Sequence, residues 1–306
     1  MSNTQNSIVI SKLPDAGLGN KLFTWSHGLI FAKKNNLNHF SVGWTKVKIG
    51  PILRRETSLR LYRDYFKRVT TISQLKLLFL KRTKIIIPIL YKDCTRHQQI
   101  QKNAMYTFNQ VPHYSDYFLG IRENREMVVK SFFNSLHKKI YQKYLVKPAP
   151  TIGIHIRMGD FRKVAAEIDF SKIGQARTPL NYFIDTIRKI REVADTNLPV
   201  TIFTDGREAE LKEVLELENV QLAEDDLDIL QMLHLSKSQI LILSAGSTFG
   251  QWAAYLSNGA IINHFQHFHS YIRPKEANLQ SYEGVIKDNS QLELQFINYI
   301  KNLKND

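Results

Sequence analysis

Cysteine is almost missing from this 306-residue chain: Cys94 stands alone. One thiol excludes an internal disulfide and a cysteine-cluster zinc site. It also favours a reducing compartment, so the expected location is the cytoplasm. Long apolar runs are missing too. The longest, over 75–91, is broken by Lys81-Arg82-Thr83-Lys84 and by Pro88, which leaves it too short and too charged to span a bilayer. The opening residues, Met1-Ser2-Asn3-Thr4-Gln5-Asn6, lack the basic-then-apolar order of a signal peptide. No solenoid period recurs. With 43% hydrophobic and 23% charged residues, the composition is that of a folded globular protein.

Acidic residues are scarce in one half only. Residues 1–150 carry 26 Lys/Arg against 7 Asp/Glu, a net +19. Residues 151–306 carry 16 against 21, a net −5. Opposite signs suggest two domains with different tasks, and Lys147-Pro148-Ala149-Pro150, where the sign changes, reads as an extended connector. A basic half suits nucleic acid, an anionic membrane surface or phosphorylated ligands. No helix-turn-helix or zinc-finger pattern accompanies the charge, so nucleic acid is not the expected partner.

The first half predicts strands at 7–11, 39–42 and 83–87, a helix over 20–36, and one long amphipathic helix over 122–144. The second half alternates. Strands fit 151–156, 200–204, 220–222, 240–243 and 260–262, with helices at 180–192, 208–215, 227–235 and 248–256. Short apolar strands separated by helices imply a parallel sheet covered on both faces, an α/β fold. The C-terminal helix is expected to pack back on the first domain. Ligands of parallel sheets bind beyond the carboxyl ends of the strands, and four motifs fall there.

Gly17-Leu18-Gly19-Asn20-Lys21 lies between the first strand and helix. Glycines permit close backbone approach and helix N–H groups attract anions, although the third glycine of a dinucleotide fingerprint is Leu22 here. An ordinary turn fits equally well. In His155-Ile156-Arg157-Met158-Gly159-Asp160 the alternation places His155 and Arg157 on one face of a strand end. An arginine fork there suits a phosphate, and an internal Arg157–Asp160 ion pair is the plainer reading. Thr204-Asp205-Gly206 offers a carboxylate for a base, a ribose or a helix cap. Ser244-Ala245-Gly246-Ser247-Thr248-Phe249-Gly250 opens a helix with hydroxyls and free N–H groups, a phosphate cradle or a simple cap. Asp225-Asp226-Leu227-Asp228 contains Asp-x-Asp, which capping explains more cheaply than a metal. His264, His267 and His269 match no metal spacing and are expected in a solvated loop. Trp25, Trp44 and Trp252 are expected in the core or at an interface.

In this order the four motifs resemble glycosyltransferase family 11, the α-1,2-fucosyltransferases. The likeness is strongest over 152–160 and 241–256, looser over 17–31 and poor over 43–110. It implies a GT-B-like fold of two Rossmann-like domains and a cleft. It also implies an inverting transfer that needs no metal or other cofactor, from GDP-fucose or a related nucleotide sugar held mainly by the second domain. By position, Arg157 resembles the arginine on the donor β-phosphate. His155 and Asp228 resemble guanine contacts, and Asp205 a neighbour of the nucleoside. Ser247, Thr248 and Phe249 resemble the phosphate loop, and Gly17, Gly19 and Asn20 a turn reaching the pyrophosphate or sugar. The family usually has two adjacent arginines where this chain has Arg157-Met158; Lys21 or other basic residues of the first domain are candidates for the missing charge. Inversion needs a base; Asp160 is the leading candidate, with Glu167 and Asp169 behind it. The expected acceptor is a galactose-type hydroxyl of a bacterial surface polysaccharide such as O-antigen, carried on a lipid, with the basic half serving the acceptor and facing an anionic membrane.

Overall fold

The computed structural model describes residues 6–44, 62–67, 71–164, 175–287 and 292–303. The chain divides into two compact units, Met1–Leu145 and Val146–Asp306.

The first unit contains β1 (Ile8–Lys12), α1 (Leu18–Lys34), β2 (Asn38–Val42), α2 (Gln74–Thr83), β3 (Ile85–Pro88), β4 (Ala104–Phe108), α3 (Arg125–Ser135) and α4 (Lys138–Val146), the last running over the boundary. Its sheet has the order β2-β1-β4-β3 with every pair parallel. The chain grows outward from β1 to β2, then restarts on the other side, so strand order reverses between β1 and β4. Helix α1 is buried on nearly all sides, its Thr24, Ser26 and His27 included, as a helix enclosed by its own unit must be. Phe31 packs against Tyr106 and Phe108 of β4. Trp25 and Trp44 are buried.

The long helix predicted over 122–144 is interrupted. A 3₁₀ turn at Arg122–Asn124 leads into α3, and Leu136 then leaves helical geometry at ψ 143° before α4 begins. The cause is a competing backbone partner. Lys67 N–H donates to the Ser135 carbonyl at 2.8 Å, His137 N–H to the Tyr65 carbonyl at 2.8 Å, and Phe66 pairs antiparallel with Leu136. Those bonds satisfy peptide groups that the helix would otherwise need, while Leu136 is buried.

The second unit contains β5 (Ile152–Ile156), α5 (Leu180–Ala194), β6 (Val200–Thr204), α6 (Lys212–Leu215), β7 (Val220–Leu222), α7 (Asp228–Leu235), β8 (Ile240–Leu243), α8 (Thr248–Leu256), β9 (Ala260–Asn263), α9 (Lys275–Gln280), β10 (Glu283–Val285) and α10 (Leu294–Asn302). The six strands are parallel in the order β10-β9-β8-β5-β6-β7. Ile154 sits between Ile202 of β6 and Ile242 of β8 in register. On one face Ile152, Ile154 and Ile156 pack with Phe183 and Ile187 of α5 and with Phe296 and Ile300 of α10. The C-terminal helix, expected against the first domain, thus buries its apolar side in the core of its own unit. On the other face α7 meets Phe203 through His234, and α8 meets His155 through Phe249. Both faces are covered, as nearly continuous apolar strands require. Strand order reverses between β5 and β8, and the two strand ends that carry the leading motifs flank that reversal.

Candidate active site

Arg157 follows the last residue of β5. Its guanidinium bonds Asp160 Oδ1 at 2.6 Å and pairs with Asp205 Oδ2 from the end of β6, and it lies over the Phe161 ring at 5.4 Å. The side chain stays partly exposed. Among the described residues, two carboxylates thus engage two of the five N–H donors of this side chain.

Asp205 organises the loop beneath. Its Oδ1 accepts the backbone N–H groups of Met158 at 2.9 Å and Gly159 at 3.1 Å. A Cβ on Gly159 would lie 2.2 Å from Asp205 Oδ2, so any other residue there would displace that carboxylate. Asp205, expected beside the nucleoside, has its carboxylate engaged by the loop and by Arg157. Asp160, the candidate base, is found as the partner of Arg157. Glu167 and Asp169 lie outside the described residues.

The adjacent strand end is stitched to this one. Ser244 Oγ accepts the Arg157 N–H and donates to the His155 carbonyl, both at 2.8 Å. Ala245 N–H donates to Thr178 Oγ1 at 2.9 Å. Ser244 and Thr178 were not recognised for these roles from sequence, because each acts across a separation that no local pattern reports. Ser247 caps α8 without a side-chain cap bond and is buried, while Thr248 and Phe249 are half-buried at the helix start. The first N–H groups of such a helix have no intrahelical partner, and they attract anions.

His155 is only 4% exposed. Its ring packs on Phe249 at 5.1 Å, and a Cβ on Gly250 would come within 2.9 Å of its Nδ1. Expected as a guanine contact, His155 lies under the loop, with burial first and the Arg157 charge second holding its pKa down to about 3. It is therefore neutral and supports Phe249. Met158 is 4% exposed, lies in the apolar core with Ile152, Ile154 and Ile156, and contacts Gly206. Position 158 accordingly faces the core, opposite to Arg157.

Asp228 opens α7 and accepts the Ile229 N–H at 2.9 Å. Asp226 pairs with Lys147 at 3.3 Å. The described residues contain no cluster of His, Cys, Asp or Glu able to hold a metal. Of the histidines expected in a solvated loop, His269 is exposed and His267 half-buried, and only His264 departs from the expectation. His264 is buried against Tyr182 and Phe265, and His267 packs near Gly246.

In the first unit Gly17 caps α1 with no side-chain cap bond, and Gly19 and Asn20 lie in its first turn. Among the described residues, Asn20 Oδ1 is buried and has no hydrogen-bond partner. Lys21 does not supply the charge absent at Met158: it is 2% exposed, and its ammonium donates to the carbonyls of Pro14 at 2.8 Å and Gly43 at 2.6 Å. A cavity of about 530 Å³ in this unit, lined by Ser7, Ile8, Asn38 and Phe40, sits at the amino ends of β1 and β2. That is the opposite end from the Gly17–Asn20 turn and the wrong end for a ligand of a parallel sheet.

Residues 26–281 match the sequence model of Glycosyl transferase family 11. The chain belongs to that family. No protein of curated function matches this family 11 chain. Its fold is GT-B-like, α/β with helix-flanked parallel sheets, and is similar to that of NodZ, described as an alpha-1,6-fucosyltransferase. NodZ co-crystallised with GDP is 14% identical with a TM-score of 0.54, covering 85% of this chain and 96% of that one. NodZ soaked with GDP-fucose is 14% identical with a TM-score of 0.51, covering 84% and 94%. NodZ from Bradyrhizobium is 13% identical with a TM-score of 0.54, covering 86% and 98%.

Proposed function

We propose that this family 11 glycosyltransferase moves L-fucose from GDP-fucose to a galactose-type hydroxyl of a bacterial surface glycan, forming an α-1,2 bond with inversion. The observation that carries this reading is the placement of Arg157 and the Ser247–Phe249 helix start on the two strands that flank the reversal of strand order. Parallel sheets hold nucleotides at such reversals. The structural neighbour NodZ, crystallised with GDP and with GDP-fucose, supports the donor class.

In the proposed reaction the acceptor oxygen attacks C1 of fucose, and the bond from C1 to the β-phosphate oxygen breaks. The electron pair and the growing negative charge pass to the diphosphate. Arg157 and the N–H groups at the start of α8 stabilise that charge where it develops. The acceptor proton goes to a carboxylate, for which we propose Asp160, released from Arg157 as the diphosphate takes its place, or Glu167. His155 carries Phe249, and Asp228 serves the nucleoside. Gly17, Gly19 and Asn20 are the proposed contribution of residues 1–150 to the donor, that half otherwise serving the acceptor. The reaction requires no metal.

Calorimetric titration with GDP, UDP, CDP and dTDP tests the donor class, and GDP is expected to bind most tightly. Arg157→Ala is expected to lower kcat for transfer from GDP-fucose by about 100–1000-fold. An undiminished rate refutes the assignment. Tightest binding of dTDP or another diphosphate would redirect the same architecture to a different nucleotide-deoxysugar.

A further inference from the structure

Helix α2 is built like a helix with two interiors. Leu77 is buried and Leu80 packs beside it against Ile10, Val42 and Met105 of the sheet. The opposite side repeats Leu75, Leu78, Phe79 and Arg82 at the i, i+3, i+4, i+7 spacing of one helix face. That face is open to solvent, Leu75 being 79% exposed, Leu78 55% and Phe79 65%. The same stretch continues into exposed Ile85 and Ile86 of the edge strand β3 and then Leu90. Single exposed apolar residues are ordinary, but a stripe of them is a mark of an interaction surface.

The charge around the stripe identifies its occupant. No acidic residue occurs between Asp64 and Asp93, while that interval holds Lys67, Arg68, Lys76, Lys81, Arg82, Lys84 and Lys92. Lys81 and Arg82 are exposed, and among the described residues neither makes an ion pair. A second copy of this chain would bring the same cations against themselves. The edge β3 is also a poor template for pairing, since it has four residues and ends in Pro88, which lacks an N–H. We propose that α2 and β3 form a docking surface for an anionic lipid bilayer, with Leu75, Leu78 and Phe79 entering the headgroup boundary and Lys81 and Arg82 meeting lipid phosphates. Apolar side chains on one face beside lysine and arginine are the pattern of interfacial helices. The surface is too small to hold the protein by apolar burial alone, so attachment depends on lipid charge and is reversible. This inference is independent of the transfer reading.

Co-sedimentation of the full chain with phosphatidylglycerol vesicles and with phosphatidylcholine vesicles, at about 0.15 M salt, tests it. Binding is expected to phosphatidylglycerol and not to phosphatidylcholine. Lys81→Glu with Arg82→Glu is expected to weaken it at least twentyfold, from about fivefold per cation lost. Leu78→Ser with Phe79→Ser is expected to weaken it about tenfold or more, with an unchanged circular dichroism spectrum, because neither side chain is buried. Absence of binding to phosphatidylglycerol, or equal binding by parent and both variants, overturns the proposal. Light scattering that finds a dimer, reduced to a monomer by Leu78→Ser with Phe79→Ser, also overturns it, because the stripe would then be covered by a second copy.

Discussion

Position 158 decides how the departure from the paired arginines of the family is understood. A methionine there fills the core beside Gly206, and a cation in its place would be buried among the apolar side chains of that core. Met158→Arg is therefore expected to destabilise the fold by about 3 kcal/mol without raising the rate of transfer; chemical denaturation and a transfer assay check the two halves. Arg157 itself was legible from sequence, since alternation along a strand end gives its face and the following glycine gives the loop. Its partner Asp205 was legible as a functional candidate, but its bonds to the loop were not. A carboxylate 47 residues from the Met158 N–H it binds has no local signature of that bond, only of a turn. The burial of His155 had no local signal either: alternation gives a face, not whether a neighbouring helix covers it.

Among the elements, strands with apolar runs and helices with a clean apolar stripe were readable, nearly to the residue in the second unit. Two strands were missed. β4 offers only Ala104-Met105-Tyr106-Thr107-Phe108, and β10 hides behind a charge, Glu283-Gly284-Val285. That charge is explained by Arg273, fully buried, whose guanidinium donates to the Gly259 and Tyr282 carbonyls at 2.8 and 2.9 Å and lies 3.8 Å from Glu283. Glu283 in turn accepts the N–H groups of Ile272 and Arg273, and burial raises its pKa against the pull of those partners. Removing the cation leaves a buried carboxylate without its counter-charge and takes one hydrogen-bond donor from each of the Ser257, Gly259 and Tyr282 carbonyls. Arg273→Met is expected to cost about 3–5 kcal/mol, read as a lower urea midpoint, and the loss is expected to shrink at acid pH, where Glu283 takes up a proton. The interruption between α3 and α4 was illegible because amphipathic periodicity continues through Leu136, and the groups that break the helix, Tyr65 and Lys67, come from far upstream.

At the scale of the whole molecule the charge asymmetry was plain in the sequence, and among the described residues no helix is long and apolar enough to cross a membrane. Both units also enclose neutral histidines. Burial lowers His27 to about 4, His155 to about 3 and His264 to about 4. In the unfolded chain these rings titrate near 6.5, so between that value and about 4 the unfolded state binds more protons and stability rises with pH. The contribution is complete above pH 6.5 and is lost as the pH falls toward 4, on the order of a few kcal/mol for each ring. Thermal melts across that interval are expected to show Tm falling steadily with acidification. A flat profile would mean that these rings are hydrated in solution.

The Ser244 hydroxyl that joins β5 to β8 closes a loop of 87 residues from Arg157, with β6 and β7 inside it. The anion cradle proposed above is shared between these two strand ends, so it is complete only once those distant strands have met. Ligand then selects the finished sheet alone, and a nucleotide held at a hundred times its Kd would add about 2.7 kcal/mol to the second unit. An enzyme assembled in this way is steadied by its own substrate supply.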